Sequence, residues 1–149
     1  MTNRVPVGLG AAPSQAPLAV YSIGILSDSG MAATGVYYVG INGDPTYGGY
    51  SITESSEQFA VTRNGALRNL CIRVYSNSQN GKHVVTVRVN GSPTSITITI
   101  PAGKTGVFFN TADSIKVNVG DLIALLFDSS ASSSGLITFS SCLLEQTSS

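Results

Sequence analysis

Between Lys82 and Phe127 the chain reads KHVVTVRVNGSPTSITITIPAGKTGVFFNTADSIKVNVGDLIALLF, and its apolar residues fall two apart: Val85, Val87, Val89, then Ile96, Ile98, Ile100, then Ile115, Val117, Val119. A period of two means strands with one buried face. Asn90-Gly91 tolerates positive φ and predicts a tight hairpin between the first two sets. Pro101-Ala102-Gly103 and Gly120-Asp121 punctuate the later strands. The outward positions would be Thr86, Arg88, Ser95, Thr97, Thr99, Lys116 and Asn118, a face of β-formers with few charges and no catalytic set. Asp121 to Phe127 is almost uniformly apolar, as expected of a strand buried on both sides.

Outward from this stretch the same texture continues. ALRNLCIRVY, residues 66–75, predicts a strand with Leu70, Ile72 and Val74 inward and Cys71 outward; SNSQNGK is a polar loop. Glu57 to Val61 predicts a short strand, Arg63-Asn64-Gly65 a turn, and Leu136 to Leu144 a last strand with Ile137, Phe139 and Leu143 on one side. No segment carries an amphipathic helical pattern of useful length. The expected fold is all-β: an antiparallel β-sandwich, jelly-roll-like. Residues 36–149 would form it, with residues 1–35 as an extended N-terminal arm.

That N-terminal third has no charge between Arg4 and Asp28 and holds prolines 6, 13 and 17. Ala16 to Leu26 has the length of a signal peptide's apolar part, but only Arg4 lies upstream and Pro17 interrupts it; no stretch is long enough to span a membrane. Val5, Val7, Leu9, Leu18, Val20, Tyr21, Ile23 and Ile25 supply apolar anchors that would be a liability in water. Next comes GVYYVGINGDPTYGGY, residues 35–50, with four of the six tyrosines and turn signals at Asn42-Gly43-Asp44-Pro45 and Gly48-Gly49. Tyr37 and Tyr38 are adjacent, as are Phe108 and Phe109, so on a strand one member of each pair faces the core and the other a partner or solvent. These four residues are the expected oligomer interface.

The 149 residues suffice for one domain with its own core. Charged residues make up 11% of the chain, against roughly 25% in a typical globular protein. Eight basic residues balance eight acidic ones, so nucleic-acid binding has no electrostatic basis, and a chain near zero net charge tends to associate. Cys71 and Cys142 lack CxxC spacing and His83 is the only histidine, which leaves a zinc site without ligands. The two cysteines either bridge neighbouring strands or stay free thiols in a reducing cytoplasm, the reading we prefer.

Enzymatic chemistry finds little footing, and no cofactor is expected. His83 reads as a strand-edge residue beside Lys82, with no nucleophile elbow. Glu54 and Glu57 are close together, but a glycosidase pair needs a cleft with aromatics around it, and Trp is absent. Asp113 and Asp121 sit where turns favour Asp, which outweighs a calcium site.

The succession NGSPTSITITIPAGKTG (90–106) and NTADSIKVNVGDLIALLF (110–127) resembles a module of tailed-phage structural proteins and of bacterial collagen-like surface proteins. Val117-Asn118-Val119-Gly120-Asp121-Leu122-Ile123 is similar to the Gly-Asp turn of the tumour-necrosis-factor and complement C1q jelly rolls. The resemblance covers about residues 67–144. It implies a virion structural protein: a capsid decoration or cement protein, homotrimeric, made in the host cytoplasm and carried on the capsid surface, with the major capsid protein as partner and neither nucleic acid nor membrane bound. At about 3.3 Å per residue the arm could reach about 100 Å, from one capsid subunit to the next. The alternatives are a receptor-binding head of a tail fibre or surface adhesin, with the loop from Tyr37 to Tyr50 as contact surface, and a soluble trimeric ligand resembling the C1q group. A fibre head calls for a rigid stalk, whereas this sequence places a proline- and glycine-rich arm before the sandwich.

Overall fold

The computed structural model describes the backbone of residues 18–23 and residues 31–40 and 50–148. Among the described residues ten strands run in chain order: β1 Leu18–Ile23, β2 Met31–Ala32, β3 Val36–Val39, β4 Phe59–Ala60, β5 Gly65–Asn77, β6 His83–Val89, β7 Ser92–Ile100, β8 Gly106–Val117, β9 Leu122–Asp128 and β10 Leu136–Ser148. A short 3-10 turn spans Glu54–Ser56. All strand pairs are antiparallel, in two five-stranded sheets. The first has the order β1-β10-β5-β8, with β2 also on β10; the second has β3-β9-β6-β7, with β4 also on β9. Each connection from β5 to β6, β7 to β8, β8 to β9 and β9 to β10 passes from one sheet to the other, which gives the jelly-roll-like sandwich.

The alternation of the sequence builds the core between the sheets. Leu70, Ile72 and Val74 of β5 meet Val85, Val87, Ile96, Ile98 and Ile100 of the second sheet, all buried. Phe127 and Phe139 close one end edge-to-face, 4.9 Å between centroids. β9, bracketed by β3 and β6, buries Ile123, Ala124, Leu125 and Phe127 and so uses both of its faces. The hairpin at Asn90-Gly91 has φ of 52° and 76°, the left-handed pair that a two-residue loop requires.

Three expected positions differ. Val119 is 61% exposed because β8 ends at Val117 and the chain turns: the Asp121 carboxylate accepts the Asn118 N–H at 2.7 Å, and the Asp121 N–H donates back to the Asn118 carbonyl. Thr86, expected outward, is buried in the cross-strand row Tyr38–Leu126–Thr86–Thr97, beside the Arg88–Glu54 ion pair. Leu143 points away from the core while Cys142 and Leu144 point in, because irregularities in the β10–β5 register between Phe139 and Ser141 reverse the parity carried by Ile137 and Phe139.

The segment expected as an arm is tied to the first sheet wherever it is described. β1 pairs with β10 from Leu18↔Thr147 to Ile23↔Cys142, β2 pairs with β10 at Met31↔Ile137, and the Met31 side chain lies in the core. Val5, Val7, Leu9 and Ile25 lie outside the described residues. Of the anchors, Leu18, Val20, Tyr21 and Ile23 fall within β1.

Candidate interaction face

An antiparallel sheet with one buried face normally shows polar residues on the other. The outer face of the first sheet departs from this. Register aligns Leu143 of β10, Cys71 of β5 and Phe109 of β8 in one row across three strands. The next row is Ser141, Arg73 and Val107. Phe109 is 66% exposed, Val107 56%, Tyr75 72%, and Leu136 and Leu143 are also open to solvent. Each neighbours in sequence a residue that faces the core or packs on it, so strand parity places all five outside.

Charge is sparse there and sits beside the apolar row. Glu145, below the row, accepts from the Asn69 side chain at 2.6 Å and lies 3.7 Å from Arg68. Arg73, above it, is exposed and has no ion-pair partner among the described residues. A cavity of about 450 Å³ opens on the row, lined by Asn69, Cys71, Phe109, Thr111, Leu143 and Glu145. A second, of about 390 Å³, lies on the other side of Phe109 against β7, where Thr97, Thr99, Phe108, Asn110 and Asp113 line it.

The four residues expected at an oligomer interface divide as parity requires. Tyr37 packs on the core, edge-to-face with Tyr50 at 4.8 Å, and Phe108 packs there too. Tyr38 turns to the outside of the second sheet, with the Arg88 guanidinium 5.9 Å from its ring centroid, and Phe109 to the outside of the first. The outward members therefore occupy different sheets and do not form one surface. Residues 41–49 of the expected contact loop lie outside the described residues.

His83 corrects the sequence reading. It stands at the start of β6 as expected but is wholly buried: it shares the inward parity of Val85 and Val87, and its ring lies 5.9 Å from Phe127 and 5.3 Å from Phe139. Its Nδ1 lies 2.6 Å from Ser129 Oγ, which also accepts from the Gln79 side-chain amide at 3.0 Å; that amide donates in addition to the Met31 carbonyl. His83 Nε2 and Gln79 Oε1 are buried without a hydrogen-bond partner. Burial pushes the imidazole down to about 4, against a smaller opposing pull from Asp128, so the ring is neutral at pH 7. This is an internal polar knot that ties β6 to the loops at residues 78–82 and 129–135. Sequence reasoning missed Gln79 and Ser129, which sit in polar loops with no periodicity to mark them as buried.

The carboxylates serve structure. Glu54 holds Arg88 at 2.8 Å, and this hydrogen bond raises the guanidinium's pKa, while Glu57 accepts the Gly40 N–H at 3.0 Å. Asp113 accepts from Asn110 at 2.7 Å, and the Asn118 N–H and the Asn90 amide hold Asp121 below the usual carboxylate range. Both cysteines are free: Cys142 pairs with Ile72 on the inner face and Cys71 with Leu143 on the outer, so they cannot bridge. Burial pushes the Cys142 thiol up. Among the described residues no group of three His, Cys, Asp or Glu side chains could hold a metal ion.

No protein-family profile matches the chain, and no curated protein does. Solved structures similar to it include the CBM36-1 domain of a multidomain xylanase from the hindgut metagenome of Trinervitermes trinervoides, at 13% identity and TM-score 0.47 over 89% of this chain and 98% of that one. Eiger TNF from S. frugiperda is similar at 11% identity and TM-score 0.49, over 89% and 94%. The CBM35 from Cellvibrio japonicus Abf62 is similar at 16% and 0.44, over 88% and 99%. At these identities the likeness is one of fold, and it brings no ligand to this chain.

Proposed function

We propose that the chain is a non-enzymatic structural subunit of a larger assembly, in its most specific form a capsid decoration or cement protein of a tailed phage. The observation that supports this reading is the outer face of the first sheet, where five exposed apolar side chains and the Cys71 thiol lie on three adjacent strands. The Leu143–Cys71–Phe109 row crosses all three strands without a charge, and an exposed apolar row of this kind marks an interaction site. The sequence resemblance of residues 90–127 supplies the virion context, and the apolar residues Val5, Val7 and Leu9 ahead of β1 supply anchors toward the major capsid protein. Binding by area needs no reactive group. Co-sedimentation of the full-length protein with empty phage heads tests the proposal: saturable binding is expected, and a protein left wholly in the supernatant would overturn the virion reading.

A second reading, the receptor-binding head, is favoured by the cavity beside Phe109, where an exposed aromatic ring stands next to Thr97, Thr99 and Asp113, a set suited to stacking on and hydrogen-bonding a sugar. Retention on a glycan array together with no binding to heads would select it.

A further inference from the structure

The groove on the β7 side of Phe109 is built by a bulge. Register runs from Arg68↔Ser114 to Leu70↔Asn110 across β5 and β8, so Thr111, Ala112 and Asp113 leave the ladder. Asn110 fixes what the bulge presents. Its Nδ2 donates to the Thr97 carbonyl at 3.0 Å and to Asp113 Oδ2 at 2.7 Å, and its Oδ1 accepts the backbone N–H groups of Ala112 at 3.2 Å and Asp113 at 3.0 Å. With its own capacity filled, Asn110 holds the carboxylate still and leaves Asp113 Oδ1 without a hydrogen-bond partner among the described residues. Across the groove the exposed hydroxyls of Thr97 and Thr99 are also unpartnered there; two residues apart on one face of β7, they are about 7 Å from each other. The two-thirds exposed Phe109 ring forms another wall, and Asp113 is the only charged residue lining the groove of about 390 Å³.

A ligand that uses all of these groups has an apolar face for the ring and several hydroxyls at its rim, and a pyranose has both. A simple amine would engage Asp113 and leave both threonines idle, while a purely apolar ligand would cover the carboxylate unpaired. Resting on the second reading above, of this groove as a sugar-binding surface, we infer that it selects neutral pyranosides over acidic ones. One face of the sugar stacks on Phe109, a sugar hydroxyl donates to Asp113 Oδ1, and Thr97 and Thr99 bind further hydroxyls; Asn110 is a positioning residue. Sialic and uronic acids are rejected, because their carboxylates come against Asp113 in a groove that no cation lines.

The full chain on an array of neutral oligosaccharides and their sialylated or uronic-acid counterparts tests this, with calorimetric titration of the best-retained neutral glycan. The acidic counterparts should bind at least about tenfold more weakly than the neutral glycans. Asp113→Asn keeps an acceptor for Asn110 but loses the charge; it should weaken neutral binding about tenfold and narrow the gap to acidic glycans. Thr99→Val removes a hydroxyl that no described residue uses, so it should melt like the wild type and bind the neutral glycan more weakly. Acidic glycans retained as well as neutral ones, or either variant binding like the wild type, would overturn the inference while leaving a receptor-binding groove standing. A wild type that retains no glycan would overturn both.

Discussion

His83 shows how one buried side chain makes the fold sensitive to acid. The folded protein holds its imidazole neutral down to about pH 4, whereas in the unfolded chain it titrates near its ordinary 6.5. Between these values the unfolded state binds a proton that the folded state refuses. Stability is therefore complete above pH 6.5 and falls as pH drops through this window, by about 3 kcal/mol in all. Urea unfolding between pH 7 and 4.5 should show the decline in the wild type and a flatter profile in His83→Leu; parallel profiles would assign the acid sensitivity elsewhere. The burial of His83 was legible in the sequence, since the residue is in step with Val85 and Val87. It was masked by the polar loop before it, because a lone histidine next to Lys82 at a strand start reads as solvated. Its partner Ser129 was not legible, because only the return of the chain from β9 brings that serine over the ring.

At the level of elements, the central strands were legible because they are regular. Ile96, Ile98 and Ile100 point inward as spaced, and Asn90-Gly91 forms the expected hairpin. Legibility failed where pairing is irregular. A bulge leaves no mark in the hydrophobic pattern, so Leu143 read as core and proves to be one of the three residues of the exposed row. β1 and β2 were missed for another reason: prolines and glycines around them break the period, while β10, which they pair with, is more than a hundred residues away. The pairing bears on truncation. A chain beginning at Ala33 gives up six residues of ladder along β10 and the buried Met31 side chain, the latter alone about 2–5 kcal/mol. It should melt far below the full chain or fail to fold. A chain from Ala33 with an unchanged melt would show β1 and β2 to be dispensable additions to the sheet.

For the whole molecule, the physical problem is a sandwich whose two sheets bury one core between them and leave a second apolar surface outside. Zero formal net charge removes the repulsion that would keep copies apart, and 11% charged residues leave few groups to solvate that surface. The low charge was readable from composition, but its location was not, because only register places Leu143, Cys71 and Phe109 in line. The most direct test is sedimentation equilibrium of the wild type beside Phe109→Asp, from low to high micromolar concentration, with thermal melts of both. Phe109 is two-thirds exposed, so the variant should melt like the wild type. The account predicts that the wild type's average mass rises above that of a monomer with concentration while Phe109→Asp remains monomeric; a wild type monomeric throughout, or a variant that associates equally well, would contradict it.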